Sequence, residues 1–346
     1  MNTTNQMQEI LDTYSRFNTM PAEKISPENA RNLPTVADAV MGVIGKHVLK
    51  RAVPFPEPVG DISHILIPGA GGDLLARVYR PLKSDSAEAL PVLLYFHGGG
   101  WVIANLDTYD SSCRALANES SFMVVSLAYR QAPEHPFPAA AEDAFAAYQW
   151  ICKNCGNLGG DANRIAIAGE SAGGNLAAVT CLKARAAGIT LPIHQLLIYP
   201  VTDLTCQGES HRTQANAKPL NEAMMTWFKK HYLQGKTDVT NPDASPLFAR
   251  DHSGLPPTTI IVAELDPLCS DGELYAKKLR DSGVSVRIRK FMGVTHEFFG
   301  AKAVLDEAKE AIIFAGDALR NAIEPFDSFA KDQNRDTQRD QGRLGF

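Results

Sequence analysis

Six short apolar runs most narrowly limit what this chain can fold into: Val92 to Phe96, Phe122 to Ala128, Ile165 to Ala168, His194 to Tyr199, Thr259 to Ala263 and Val284 to Phe291. Each is strand-length, and helical segments lie between them, near 109–118, 139–154, 173–187, 271–282 and 303–322. Strands joined by helix-length crossovers pair in parallel and need helices on both faces to cover them. Ahead of these runs, Ile62 to Pro68 and Leu74 to Pro81 flank the turn GAGGD, which reads as an antiparallel hairpin. The pattern predicts an α/β architecture: a mostly parallel twisted sheet of about eight strands, doubly wound by helices, with the hairpin at one edge.

The third run ends abruptly. The stretch from Arg164 to Asn175 reads R-I-A-I-A-G-E-S-A-G-G-N, which is strand, sharp turn and helix with Ser171 at the tip. The G-x-S-x-G spacing strains the serine backbone and exposes its hydroxyl, and the close approach of strand and helix leaves room only for small residues at Gly169 and Gly173. A glycine-rich turn carrying a serine is common, so the chemistry needs partners. Upstream, the strand ending at Phe96 runs into His97-Gly98-Gly99-Gly100-Trp101, whose unobstructed N–H groups, with that of Ala172, can receive a developing oxyanion. His97 then reads as a strut for the glycine loop.

A serine hydroxyl needs a base, and the base needs an orienting carboxylate. Of nine histidines, His296 follows the last strand in the loop G-V-T-H-E-F-F-G, on the sheet rim that carries Ser171. For the acid, Asp266 in E-L-D-P-L leads, against Glu264, still within its strand, and Asp271, which looks like a helix N-terminal residue. The order Ser, Asp, His is the one expected of a strand-turn-helix nucleophile on such a sheet. This chemistry requires neither metal nor organic cofactor.

Composition bounds the rest. With 346 residues and 45% hydrophobic content, the chain can bury one large core and carry an added cap. A net charge of -5, with no Lys/Arg-rich run, argues against nucleic acid as a partner. The N-terminus has no signal-like pattern and no segment approaches a membrane span, so a soluble, cytoplasmic protein is expected. Six cysteines without framework spacing fit a reducing compartment, and Cys152 and Cys155 read as ordinary thiols. Residues 1–55 are expected to be cap helices, one with Met7, Ile10, Leu11 and Tyr14 on a single face, another started by Ser26 and Pro27. The Pro-rich stretch from Val53 to Gly60 reads as a linker. Residues 204–256 break the strand rhythm and read as a second cap piece, leaving 56–203 and 257–325 as catalytic core and 326–346 as a polar tail.

HGGGW, YRQAPEHPFPAA from Tyr129 to Ala140, GESAGGNLA, the Asp266-Pro267-Leu268 loop and the His296 loop together resemble the bacterial hormone-sensitive-lipase-like (family IV) carboxylesterases of the α/β-hydrolase superfamily. The resemblance spans about residues 60–320. It implies an α/β-hydrolase fold with a helical cap, Ser171 as nucleophile, His296 as base, Asp266 as its orienter, and Gly98, Gly99 and Ala172 as oxyanion donors, with Gly100 as a further candidate. It implies a small-molecule ester as substrate, short to medium in acyl chain. It also makes pairing of the last strand between two copies plausible, giving a homodimer. Trp101, Tyr199, Met224, Trp227 and Phe298 are the candidate pocket walls. Amidase, lactonase and true lipase activities would use the same residues, and a ligand-binding receptor on the same scaffold is the rival from another class. The purpose of Glu170, beside the serine, does not follow from the sequence.

Overall fold

The computed structural model describes residues 2–47, 56–83 and 88–323. Positions 53–55 of the expected linker and the expected tail at 326–346 lie outside the described residues. Eight strands form one sheet in the order β1-β2-β4-β3-β5-β6-β7-β8. They are β1 (Asp61–Gly69), β2 (Gly72–Arg80), β3 (Leu90–Phe96), β4 (Met123–Leu127), β5 (Gly160–Glu170), β6 (Gln195–Ile198), β7 (Thr258–Leu265) and β8 (Val286–Thr295). The β1–β2 hairpin is antiparallel and so is the β2–β4 pairing; from β4 to β8 every pairing is parallel.

The helices are α1 (Asn5–Ser15), α2 (Pro27–Ala30), α3 (Val36–His47), α4 (Asp110–Ser120), α5 (Ala139–Asn154), α6 (Ala172–Ala186), α7 (Glu209–Thr213), α8 (Glu222–Leu233), α9 (Cys269–Asp281) and α10 (Asp306–Ile323). They divide between two apolar layers, and the central strands feed both because successive side chains point to opposite faces. In β3, Val92, Leu94 and Phe96 join the layer of α5, α6 and α9, while Leu93 and Tyr95 join that of α1, α3, α4 and α10. Each central strand is therefore apolar throughout, which is why runs and not alternation mark it in the sequence.

The last strand departs from its expected end. β8 runs four residues past Phe291 because a bulge at Gly293, with φ of 67°, lets Thr295 pair with Leu265. A bulge adds a residue without breaking the strand, and Met292-Gly293 reads as a stop in the sequence. The Glu264 carboxylate accepts the Gly293 N–H at 2.8 Å, and the Gly293 carbonyl accepts the Thr4 N–H at 2.9 Å, so the start of α1 is tied to this bulge.

Among the described residues of the N-terminal segment, three α-helices occur, with a 3-10 turn at Ala22–Lys24 between the first two. Ser26 caps α2 by accepting the Asn29 N–H at 3.3 Å, but α2 lasts a single turn before Leu33-Pro34. Asp38 then accepts the Thr35 N–H at 2.7 Å at the head of α3. In α1, Met7, Ile10 and Leu11 are buried, whereas Tyr14 is only half-buried. Within 204–256, α8 packs over the glycine loop: Trp101 stacks on Tyr232 with centroids 4.1 Å apart, and the Phe137 N–H donates to the Tyr232 carbonyl at 2.8 Å. Among the described residues, no helix is long and apolar enough to cross a membrane.

Candidate active site

Ser171 sits between β5 and α6 at φ 56° and ψ -118°, a conformation that side chains other than glycine seldom adopt. Packing enforces it. A Cβ on Gly169 would lie 2.2 Å from the Gly173 carbonyl carbon, and one on Gly173 would lie 2.0 Å from the Phe96 carbonyl oxygen. Strand and helix thus meet backbone to backbone, and the serine is pushed out at the rim.

At that rim the three expected residues come together. The Ser171 hydroxyl and His296 Nε2 are 2.9 Å apart, and His296 Nδ1 and Asp266 Oδ2 are 2.7 Å apart. Asp266 Oδ1 accepts the Leu268 N–H at 2.9 Å, which fixes the carboxylate plane. All three side chains are buried. With Asp266 accepting from Nδ1–H, Nε2 carries the free lone pair and can accept the serine proton. Burial is the strongest single influence on His296 and favours the neutral ring, yet Asp266, with Glu297 and Glu170, outweighs it and holds the pKa above the ordinary histidine value. The competing acids are engaged elsewhere: Glu264 at the bulge, and Asp271 with His211 at 2.8 Å and with the N–H groups of Thr202 and Asp203.

The glycine loop is held by its carbonyls. The Gly99 oxygen accepts from the Val102 and Ile103 N–H groups at 3.0 and 2.9 Å, and the Gly98 oxygen meets the His97 ring nitrogen at 2.7 Å. His97 stacks on Tyr129, whose hydroxyl donates to the His97 carbonyl at 2.8 Å. Burial lowers the His97 pKa to about 4, so this ring is a neutral brace. Among the described residues, no hydrogen bond takes the N–H of Gly98, Gly99, Gly100 or Ala172. Donors that face a reaction centre and are not already paired are what an oxyanion site requires.

Ser171, His296, Gly99 and Gly100 open onto a cavity of about 240 Å³. Gly98 and Ala172 are not among its lining residues; a Cβ on Gly98 would lie 2.2 Å from the Tyr109 hydroxyl. The N-terminal segment supplies one wall, including Tyr14, Leu33 and Val36, and the 204–256 segment supplies another, with Leu220, Met224 and Phe228.

Of the five expected wall residues, Met224 alone lines this cavity. Trp101 is turned away against Tyr232, Trp227 packs on His231 with centroids 4.6 Å apart, Phe298 packs on Phe291 in the core, and the Tyr199 hydroxyl donates to Glu170. In each case the aromatic ring found a partner behind the wall. Phe228 takes the place expected of Trp227, its ring lying where a Cβ on Gly100 would be, at 2.2 Å. Its position four residues after Met224 on one helix was the available signal, since i and i+4 share a face. Glu297 was also missed; a lone charge inside T-H-E-F-F was its only mark.

Fold and site together define a scaffold of the α/β-hydrolase type: a mostly parallel sheet with a serine on the strand-helix turn and a histidine–carboxylate pair on the same rim. The chain belongs to the α/β-hydrolase fold family, whose model matches residues 93–300, and within it to the hormone-sensitive-lipase-like carboxylic ester hydrolases. It is 42% identical to carboxylic ester hydrolase LipN of Mycobacterium tuberculosis over 71% of its length, and that match spans 66% of the relative. It is 36% identical to ethyl acetate hydrolase of Pseudomonas putida, covering 78% of this chain and 84% of that one. The hyperthermophilic esterase from the archaeon Pyrobaculum calidifontis superposes with a TM-score of 0.81 at 37% identity, over 93% of this chain and 99% of that one.

Proposed function

We propose that the chain hydrolyses short to medium acyl esters through a covalent acyl-serine, with Ser171 as nucleophile, His296 as base and Asp266 as the residue that orients it. The unbroken hydrogen-bonded chain from Ser171 through His296 to Asp266, opening onto the cavity, carries this reading. As the Ser171 oxygen attacks the ester carbonyl carbon, its proton passes to His296 Nε2. The carbonyl oxygen becomes an oxyanion facing the N–H groups of Gly98, Gly99 and Ala172, with Gly100 adjacent. His296 then gives the proton to the leaving alcohol as the C–O bond breaks. Water attacks the acyl-serine with His296 again as base, releasing the acid and restoring the hydroxyl.

The cavity is small, with Leu33, Val36, Leu220, Met224 and Phe228 among its walls, which supports short to medium acyl groups and not long ones. Residues 1–55 and 204–256 act as the cap in this reading, because each supplies one wall. Six unpaired cysteines support a cytoplasmic setting. A homodimer paired through β8 is the remaining part, open to sedimentation analysis.

The test is Ser171→Ala against wild type on p-nitrophenyl acetate and butyrate, with fluorophosphonate labelling in parallel. Loss of turnover and of labelling in a folded variant is expected. Retained turnover would sink the assignment, and an unlabelled wild type would favour a receptor.

A further inference from the structure

Glu170 and Glu297 stand next in sequence to the two reacting residues, one just before Ser171 and the other just after His296. Both residues line a second, smaller cavity of about 30 Å³ that adjoins the substrate cavity and shares Val36, Thr108 and Glu297 with it. Glu297 lines both cavities and forms part of the wall between them. Among the described residues neither acid forms a salt bridge, and the nearest group that can become a cation is His296. Glu170 is buried and accepts from the hydroxyls of Tyr95, at 2.5 Å, and Tyr199. Glu297 accepts from the Tyr109 hydroxyl at 3.3 Å. Ser112, also fully buried, lines the same small cavity; its Oγ approaches Glu170 without forming a hydrogen bond to any described group.

Two carboxylates lining one small cavity, with no ion pair to either among the described residues, cannot both keep a full charge at low cost. A buried hydroxyl left unpaired beside them needs a partner, and the cavity has room for water. We propose that Glu170 and Glu297 share one proton across this cavity, bridged by water that also bonds Ser112 Oγ. The pair then carries a single negative charge behind His296 and acts as a positioning element for the base.

Burial raises both carboxyl pKa values above the ordinary range, in keeping with a retained proton. The groups facing the pair are accounted for. Tyr95, Tyr109 and Tyr199 are buried phenols that burial keeps protonated, as it does the Cys113 thiol, and Tyr14 is raised to about 12. Asp266 faces His296 from the other side and is bonded to it. Tyr199 also bridges the two halves, its hydroxyl on Glu170 and its ring 4.6 Å from the His296 ring. A sequence that puts an acid beside the nucleophile and another beside the base thereby closes a loop behind both.

The experiment compares wild type with Glu170→Gln, Glu297→Gln and the double variant. Its kinetic half rests on His296 being the base; its spectroscopic half does not. If one proton is shared, each single variant leaves the other glutamate to carry the charge. The acid limb of kcat/KM then moves by less than about 0.3 pH unit in the single variants and falls by about 1 unit in the double variant. In infrared spectra at neutral pH, the C=O stretch of a protonated carboxyl group should be present in wild type and lost in each single variant. Equal, additive limb shifts in the two single variants, an unmoved limb in the double variant, or a wild type without the protonated-carboxyl band would each overturn the proposal. Should a variant fold poorly, the wild-type band still decides whether a glutamate holds a proton, because labelling with glutamate carrying 13C at the side-chain carboxyl shifts a glutamate band and leaves one from a protonated aspartate in place.

Discussion

Replacing Asp266 by Asn tests the site with a change of only one atom type. Asp266 Oδ1 accepts the Leu268 N–H at 2.9 Å, and Oδ2 faces His296 Nδ1 at 2.7 Å. An asparagine must keep its oxygen on the Leu268 N–H, because two donors cannot face each other in a buried site. Its NH₂ group then points at Nδ1, so Nδ1 must accept and the proton moves to Nε2. The nitrogen facing Ser171 becomes a donor and can no longer take the serine proton. A wrong tautomer in an otherwise intact triad costs about 10⁴-fold in kcat, or about 5.4 kcal/mol of barrier. The assay is kcat/KM for p-nitrophenyl butyrate near pH 7, with circular dichroism and a thermal melt to verify the fold. Glu264→Gln and Asp271→Asn serve as controls: both acids bond elsewhere, so any loss there should come through stability and not through the chemical step. A loss under about tenfold in a folded Asp266→Asn protein, or an equal loss in kcat for folded Asp271→Asn, would refute the assignment.

Because the base must be neutral to act and its pKa is held above the ordinary 6.5, kcat/KM should fall tenfold per unit as pH drops below a midpoint higher than that value; a profile flat to about pH 5.5 contradicts it. Gly173→Ala should destabilise by about 3 kcal/mol or more in denaturant titration, since its Cβ would meet the fixed Phe96 carbonyl oxygen at 2.0 Å. Arg31 donates to the carbonyls of Val102 and Ala132, each at 2.8 Å, and pairs with Glu134, so Arg31→Ala should cost about 1–3 kcal/mol of stability and lower kcat as the loop after Trp101 loosens. Met224→Trp should narrow the cavity, leaving acetate turnover within about twofold while hexanoate falls by at least about tenfold, as read from a series of p-nitrophenyl esters.

The sheet was legible because its central strands are buried on both faces and so appear as uninterrupted apolar runs between helices. The juxtaposition of Ser171, Asp266 and His296 was legible for a related reason. Each member follows the end of a strand, and parallel strands bring those ends to one rim. The cavity walls were not legible in the same way, because a large aromatic residue carries no mark of which side of a wall it faces. Trp101, Trp227 and Phe298 each met another ring, and only the i, i+4 relation of Met224 to Phe228 separated a lining face from a packing face. The extension of β8 was hidden by Gly293, whose pairing depends on the Glu264 carboxylate and on the first residues of α1, far away in sequence.

Two pairs of acids in this chain are held differently, and the difference bears on what Glu170 does. Asp143 is met by the Arg130 guanidinium and the Arg130 N–H, and Asp271 is met by His211 and two backbone N–H groups. Each of these charges is balanced where it stands, and each ties a loop to a helix. Glu170 and Glu297 receive phenol hydroxyls instead, which can hold a carboxylate but cannot cancel its charge. An acid needed only for structure would be expected to have the first kind of partner. Uncancelled charge makes sense where a neighbour gains from it, and the neighbour here is His296, which in the proposed mechanism becomes a cation each time it takes the serine proton.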